Sequence, residues 1–320
     1  MPRTVVLLAV LAAGVTLIAL AAGGGLARSE KAGPPHTEPA VAIRQAAATQ
    51  VGSWVYQLQG YPDGRLDEIA ASPHDLAVID LARDAGSSWF SRLEVGRVRA
   101  SGKVVLAYFE IGSIEDFRPE AAAVRASPQG LVLNRWEDWP EEHFVRYWEE
   151  DWWELAVRPR LDRALAAGFD GVYLDTPLAY EEIDKSLVPG TSRTELARRM
   201  VALIARISAY AKERRPGFWV VPQNSPELRV VRGYLEAIDG IGMEELFVKA
   251  TDEPCTEDWC EENLEHTRAI RQAGKLVLAV DYADRPDLVI STCRRYAQEG
   301  FAGYVASLAL DSIRPPCGSV

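Results

Sequence analysis

The sequence is short of histidine, cysteine and positive charge, and each shortage restricts the chemistry that it can perform. Its 320 residues include four histidines: His36, His74, His143 and His266. None of them ends a predicted strand, which argues against a histidine general base and against a histidine-rich metal site. No G-x-S-x-G motif is present, so the nucleophile elbow of the α/β-hydrolases is excluded as well.

Basic residues are outnumbered by acidic ones, and the net charge is −11 with a pI near 5.0. Nucleic acid and anionic membrane surfaces repel such a protein, so neither is expected as a partner. A neutral or cationic ligand is compatible with this charge.

An uncharged apolar stretch runs from Val5 to about Gly25, after the single positive charge of Arg3. Its length suits the core of a signal peptide or one membrane-spanning helix of ~20 residues. Residues 1–28 are therefore predicted to be a secretory signal peptide or a signal-anchor, followed by a Pro/Ala-rich linker over 29–48. The protein is expected to be secreted, periplasmic, or tethered to a membrane and facing outward.

The four cysteines predict two disulfides, because an even number is typical of exported proteins. Cys255 and Cys260 stand close together in CTEDWC and are expected to bridge one loop. Cys293 and Cys317 would then tie the last helix to the C-terminal tail. A zinc site is the weaker alternative, since the spacing matches no common zinc pattern.

One pattern recurs after the linker, in which a short apolar run ends on polar residues and a helical stretch follows. The eight predicted strands are WVYQLQ (54–59), LAVIDLA (76–82), VVLAYFEIG (104–112), GVYLDT (171–176), FWVVPQN (218–224), GIGMEE (240–245), LVLAVDY (276–282) and GYVASLA (303–309). Amphipathic helices are predicted at 158–168, 192–215 and 262–275. Phe144, Trp148, Trp152 and Leu155 follow helical spacing, so they are expected to form a stripe that packs in the core.

Eight such units over residues 49–320 predict an α/β fold, a single-domain (β/α)8 TIM barrel. A doubly wound parallel sheet is the alternative fold. It would require a glycine-rich phosphate loop after the first strand, and QGYPDGR is not one.

Acids and amides end most of the predicted strands, and in a barrel these side chains point into the site. The candidates are Gln57, Asp80, Glu110, Asp175, Gln223, Asn224, Glu244 and Asp281, with Tyr56, Tyr173, Tyr180 and Tyr282 beside them. A mouth lined with carboxylates is the equipment of glycoside hydrolysis, in which one group protonates the leaving oxygen and the other attacks carbon or activates water. In a cluster of carboxyl groups, the pKa of one member is also raised, so that this member can act as an acid near neutral pH.

Other roles for these acids remain open at this point. Asp80 and Asp281 could simply pair with the nearby Arg83 and Arg285, as strand-end acids often do. Alternatively, Asp80, Glu110 and Asp281 could hold a metal in a polysaccharide deacetylase, although the shortage of histidine counts against it. The preferred interpretation requires neither metal nor cofactor.

Six motifs in fixed order resemble glycoside hydrolase family 114, whose characterised activity is endo-α-1,4-polygalactosaminidase. They are WVYQLQGYP, DLAVIDLARD, GKVVLAYFEIGSIEDFRP, GFDGVYLDT, PGFWVVPQN and IDGIGMEELF. The resemblance implies an exported barrel that cleaves a galactosamine-containing polysaccharide and retains anomeric configuration, with Asp175 as nucleophile and Glu244 as acid/base. Leu178 and Ser113 depart from the family pattern, which usually has acids there. A glycan-binding barrel without catalysis is the alternative function.

Overall fold

The structure is a computed structural model that describes residues 51–250 and 252–319. The predicted signal or anchor (1–28) and linker (29–48) lie outside the described residues. Within the described ranges, no helix is both long and apolar enough to cross a membrane. The predictions of export and of one domain over 49–320 therefore remain predictions.

All eight predicted strands are present, with ends shifted by a few residues at most, and five short ones join them. The thirteen are β1 (Trp54–Gln57), β2 (Leu76–Asp80), β3 (Val104–Glu110), β4 (Ser113–Glu115), β5 (Val132–Arg135), β6 (Glu142–Val145), β7 (Gly171–Asp175), β8 (Trp219–Pro222), β9 (Gly240–Glu244), β10 (Val248–Lys249), β11 (Glu253–Pro254), β12 (Leu276–Tyr282) and β13 (Ala302–Ala306). Both faces of the eight parallel strands are buried, which explains their continuous apolar runs.

The eight parallel strands form two sheets, in the order β1-β2-β3-β7-β8 and β13-β12-β9. A single bridge between Gln223 and Gly242 joins β8 to β9. On the far side, the N–H groups of Leu58 and Gln59, just after β1, donate to the carbonyl oxygen of Leu310. Consecutive parallel strands are thus neighbours, and an α/β fold is confirmed.

The described strands do not close into one continuous barrel, which corrects that part of the fold prediction. The β8–β9 ladder has a local physical cause for its interruption. Pro222 ends β8 and has no N–H to donate. Asn224 and Ser225 follow with φ of 60° and 52°, which turns the chain out of the extended conformation.

The longer helices each pack against the strand that follows them, as in repeated α-to-β units. The helices are α1 (Asp67–Ala71), α2 (Arg92–Ala100), α3 (Ala121–Ala126), α4 (Glu150–Trp152), α5 (Arg158–Ala167), α6 (Ala179–Glu182), α7 (Arg193–Arg214), α8 (Tyr234–Ala237), α9 (Asp258–Gln272) and α10 (Pro286–Glu299). Ser192 caps α7 by accepting a hydrogen bond from the N–H of Glu195, as the S-x-x-E pattern predicts.

A small antiparallel sheet, ordered β4-β6-β5, occupies the segment between β3 and β7. Phe144 lies on β6 of this sheet, so the prediction of one helix from Phe144 to Leu155 was wrong. The prediction that these residues pack in the core is confirmed, since Phe144 and Trp152 are buried and Trp148 and Leu155 pack against the core. Only the later members of the stripe are helical, because α4 continues through a π-helical turn at Trp153–Val157 into α5. Through Ser113 of β4, the sheet contacts Thr176, the residue that follows the end of β7.

Both predicted disulfides are present, Cys255–Cys260 and Cys293–Cys317, with Cα–Cα distances of 6.0 and 5.1 Å. The first closes the loop that leads into α9. The second fixes the C-terminal tail to α10. Their sequence separations, 5 and 24 residues, make them unequal constraints on the unfolded chain.

We expect C293S/C317S to lower the free energy of unfolding by about 3 kcal/mol, against about 2 kcal/mol for C255S/C260S, because loop-closure entropy grows with loop length. Urea unfolding of the two double variants, monitored by tryptophan fluorescence, measures the difference. A larger loss from the shorter loop would show that native contacts around Cys255 outweigh the entropy of the unfolded chain.

Candidate active site

Asp175 and Glu244 end β7 and β9, with β8 lying between these two strands in chain order and in space. Each side chain is half-buried, so both remain accessible to solvent. The backbone N–H of Gln223, just after β8, donates to the carbonyl oxygen of Leu174 at 2.8 Å, and its side chain donates to Glu244, so this residue links the ends of β7 and β9. The two acids therefore occupy one site at the carboxyl edge of the parallel strands.

A phenol and a main-chain N–H hold Asp175. The hydroxyl of Tyr108 lies 2.5 Å from Oδ2 and donates to it. The N–H of Thr176 lies 2.6 Å from Oδ1. Tyr108 precedes the end of β3 by two residues, and the register pairs Glu110 of β3 with Asp175, so this phenol rises along the inner face of the sheet toward the carboxyl.

Three side-chain donors hold Glu244. Tyr282 donates its hydroxyl hydrogen to Oε1, and Gln223 donates an amide hydrogen to Oε2. The amide of Asn224 also donates to Oε2 at 2.9 Å, while its oxygen accepts from the Glu244 N–H at 3.0 Å. Tyr56 in turn donates to the side-chain oxygen of Gln223 at 3.0 Å, which fixes that amide. Four residues that were predicted from the sequence are thus brought together around Glu244: Tyr56, Gln223, Asn224 and Tyr282.

Burial, followed by the charge of Glu244, raises the pKa of Asp175 from its ordinary value to about 7. The hydrogen bonds from Tyr108 and Thr176 lower it, but by less. Because two interacting acids lose their protons in steps that belong to the pair, the pair holds one proton near neutral pH. Asp175 consequently holds a proton up to about pH 7, beside the carboxyl group of Glu244.

Tyr173 forms the floor beneath this pair. Its side chain is fully buried, and its hydroxyl has no hydrogen-bond partner among the described residues. The ring fits only because Gly242 has no side chain, since a Cβ there would lie 2.0 Å from the Tyr173 hydroxyl oxygen. Aromatic packing with Trp54 and Tyr56 fixes the ring.

Asp80 and Glu110 lie in a buried ion network instead of on a wall that faces solvent, which corrects their predicted contact with substrate. Arg118 bonds both, at 3.0 Å to Asp80 and 3.2 Å to Glu110. Arg160 lies 2.7 Å from the other oxygen of Glu110. Although burial acts in the opposite direction, Arg118 and Arg160 hold the pKa of Glu110 below its ordinary value.

Asp281 is also fully buried, which corrects its predicted place at the mouth. It accepts from the hydroxyl of Tyr296 at 2.6 Å and from the N–H of Phe247 at 3.1 Å. Neither Asp80 nor Asp281 pairs with its nearest arginine in the sequence, because Arg83 bonds Glu94 and Arg285 bonds Asp287. Asp281 therefore lies in a different hydrogen-bond network from Asp80 and Glu110, which share Arg118.

Gln57 and Tyr180 are buried and bonded within the protein. Gln57 donates to the carbonyl oxygens of Gln59 and Asp311, at 3.0 and 3.3 Å. Tyr180 donates to Glu227, on the loop that follows β8. Neither hydroxyl nor amide is thus left open toward the acid pair.

Sequence reasoning missed Tyr108, Thr176 and Glu142. Tyr108 had a signal, because it shares the face of β3 with Glu110 and so points to the same interior. Glu142 had none, because it lies on β6, in a segment whose fold was not predicted. It is buried, and Ser113 lies 2.5 Å from its Oε1.

Two carboxylic acids at the carboxyl ends of parallel strands are the arrangement that glycoside hydrolases use. The chain belongs to glycoside-hydrolase family GH114, whose model matches residues 36–320, and the resemblance seen in the sequence is confirmed.

An uncharacterized protein of Deinococcus radiodurans is 34% identical over 304 residues, which cover 93% of this chain and 96% of that protein. Among solved structures, the glycoside hydrolase domain of PelA from Pseudomonas aeruginosa matches with a TM-score of 0.62 at 19% identity, over 82% of this chain and 97% of that chain. Aspergillus fumigatus Ega3, in complex with galactosamine, matches with a TM-score of 0.62 at 17% identity, over 83% and 95%. At these identities the two structures establish likeness of fold.

Proposed function

We propose that the protein is an exported α/β glycoside hydrolase that cleaves an α-1,4-linked, galactosamine-containing polysaccharide. The observation that carries the proposal is the coupled pair of Asp175 and Glu244, open to solvent and fixed by Tyr108 and Tyr282. Membership of GH114 and the galactosamine complex of Ega3 support the choice of substrate. The two disulfides and the apolar N-terminal stretch support export.

In the proposed retaining mechanism, Glu244 gives its proton to the glycosidic oxygen as the bond from that oxygen to the anomeric carbon breaks. Asp175 attacks the same carbon and forms a covalent glycosyl ester. Water then displaces Asp175, and Glu244 takes up the proton that the water loses. Burial and the charge of Glu244 hold a proton on the resting Asp175 up to about pH 7, so the reactive form arises when that proton passes to Glu244. The hydrogen bonds from Tyr108 and the Thr176 N–H then stabilise the ionised Asp175.

The acidic protein suits a cationic polymer. Unacetylated galactosamine carries an ammonium group at neutral pH, and a net charge of −11 attracts such a chain and speeds its encounter with the enzyme. The same charge would repel an anionic polysaccharide. Hydrolysis of the amino-sugar polymer is therefore expected to slow as salt concentration rises.

The direct test is to incubate the purified protein with partly deacetylated galactosaminogalactan and to identify released oligosaccharides by mass spectrometry, with neutral α-1,4-glucan as the control. Oligosaccharides from the first polymer alone support the proposal. Binding of that polymer in calorimetry with no product would favour the alternative, a glycan-binding barrel without catalysis. The anomer formed first, read by nuclear magnetic resonance, separates retention from inversion.

We expect kcat/KM to fall as the pH rises through about 7, because the singly protonated pair then loses its remaining proton. The decrease should approach tenfold for each further pH unit, since the fraction of the active form falls in that proportion. Initial rates from pH 4 to 9 at fixed ionic strength measure it. A rate that stays constant up to pH 9 would contradict the proton assignment.

A further inference from the structure

Glu142 is a buried carboxyl group that reaches the backbone beside Asp175 through two hydroxyl groups. It lies on β6, directly opposite Glu115 of β4, and only 8% of it is exposed. Its Oε1 is 2.5 Å from the hydroxyl of Ser113, which is 2.9 Å from the hydroxyl of Thr176. Thr176 immediately follows Asp175 in the chain, so the contacts connect β6 to the end of β7.

The number of hydroxyl hydrogens decides how this series of contacts can be hydrogen-bonded. The Thr176 hydroxyl oxygen accepts the Gly112 N–H at 2.9 Å and lies 2.8 Å from the Asp175 carbonyl oxygen. The hydroxyls of Thr176 and Ser113 thus make three further contacts: with that carbonyl, with each other, and with Glu142. They own two hydrogens between them, and the carbonyl has none. All three contacts are hydrogen bonds only if Glu142 supplies the third hydrogen.

The charges around Glu142 also oppose its ionisation. It faces Glu115 across the strand pair, and Asp175 and Glu110 lie nearby. The guanidinium of Arg118 is engaged by Asp80, Glu110 and Glu115. Burial first, and then the charges of Glu115 and Asp175, raise the pKa of Glu142 well above its ordinary value.

The backbone is strained at Thr176, the other end of this series of hydrogen bonds. Thr176 has a φ of 61°, a left-handed conformation that a β-branched residue rarely adopts. Gly112 lies so close that a Cβ there would be 2.2 Å from the Thr176 carbonyl oxygen. Such a conformation persists only where its surroundings hold it, and here it aims the Thr176 N–H at Oδ1 of Asp175.

We propose that Glu142 is a neutral carboxylic acid that donates a hydrogen bond to Ser113 and, through Ser113 and Thr176, fixes the orientation of the Asp175 carboxyl group. Glu142 is a positioning residue, since it acts through these neighbours. Its effect on the rate rests on the proposed function, whereas its protonation does not.

The protonation is tested without substrate. In infrared difference spectra at pH 7, the wild type minus E142Q should show the carbonyl stretch of a protonated carboxyl group. E115Q is the matched control, because Glu115 lies opposite on β4 but is ion-paired with Arg118, and its replacement should remove no such band. A wild-type spectrum that differs from E142Q only in carboxylate bands would overturn the proposal.

The positioning is tested by kinetics. E142A should lower kcat about 30-fold and leave KM within about threefold, because a displacement of about 1 Å in a reacting group costs rates of this order. E142Q, whose amide still donates, should recover at least about tenfold of that loss. S113A breaks the same chain, so S113A/E142A should be no slower than either single variant. Equal losses in E142A and E142Q, or additive losses in the double variant, would overturn the proposal.

If the wild type hydrolyses nothing, the proposed function fails. The relay, meaning the hydrogen bonds from Glu142 through Ser113 and Thr176, is then tested by its effect on the pKa of Asp175 alone. An infrared pH titration of the carboxyl band that D175N removes reports the pKa of Asp175. The relay predicts that this pKa shifts in E142A and S113A and returns toward the wild-type value in E142Q. Identical titrations in all four proteins would refute the relay.

Discussion

D175N is expected to lower kcat by at least about 1,000-fold, because the variant has no carboxylate to form the glycosyl ester. E244Q should lose about 100- to 10,000-fold on the natural polymer, since it has no proton to give to the leaving oxygen. Both substitutions keep the size and shape of the side chain. Release of reducing ends from partly deacetylated galactosaminogalactan, normalised to folded protein, is the measurement.

D175N should also stabilise the protein, and this distinguishes a loss of catalysis from a loss of folding. The folded-state pKa of Asp175 is raised to about 7, so between its ordinary value and pH 7 the folded state binds more protons than the unfolded state. Stability conferred by the protonated group is therefore lost as the pH rises through that range. Above pH 7, the free energy of unfolding of D175N should exceed that of the wild type by about 2 kcal/mol, after allowance for the partial exposure of the carboxyl group.

D162N is the matched control, because Asp162 is an exposed acid on α5. It should keep wild-type activity and an almost unchanged dependence of stability on pH. Wild-type rates in both D175N and E244Q would remove the proposed catalytic pair. A loss of activity in D175N together with lower stability at pH 8 would instead indicate that Asp175 serves the fold.

R118M should lower the free energy of unfolding by about 3–5 kcal/mol, and the melting temperature by about 10 °C, because removing one partner of a buried ion network leaves the others uncompensated. The side chain of Arg118 is 5% exposed and bonds Asp80, Glu110 and Glu115. Calorimetric melting at pH 7 measures the shift. The loss should shrink toward pH 4, where the abandoned carboxylates take up protons.

R125M tests whether burial is the cause. Arg125 pairs with Asp116 on the surface, where its side chain is 39% exposed, and such pairs contribute about 0–1 kcal/mol. Its melting temperature should fall by no more than a few degrees. Similar shifts in R118M and R125M would mean that the network beneath the site contributes no more than a surface ion pair does.

Much of the fold and half of the site were predictable from the sequence. The apolar runs gave eight parallel strands and their order, and the strand-end rule placed Asp175, Glu244, Gln223 and Asn224 together. The same rule misplaced Asp80, because a residue at a strand end satisfies it whether it faces solvent or a buried arginine. Arg118 lies 38 residues further along the chain, and no local pattern pairs the two.

The sequence by itself determined the eight parallel strands, the disulfide pairs and the family, since these depend on periodicity, cysteine spacing and motifs that neighbouring residues encode. Only the tertiary structure decided which acids are open and which are neutralised, and it alone brought Tyr108 to Asp175 and Glu142 to Ser113. The physical reason is that the state of a carboxyl group depends on burial and on the charges around it. Those surroundings come from strands far apart in the chain and exist only once the protein has folded.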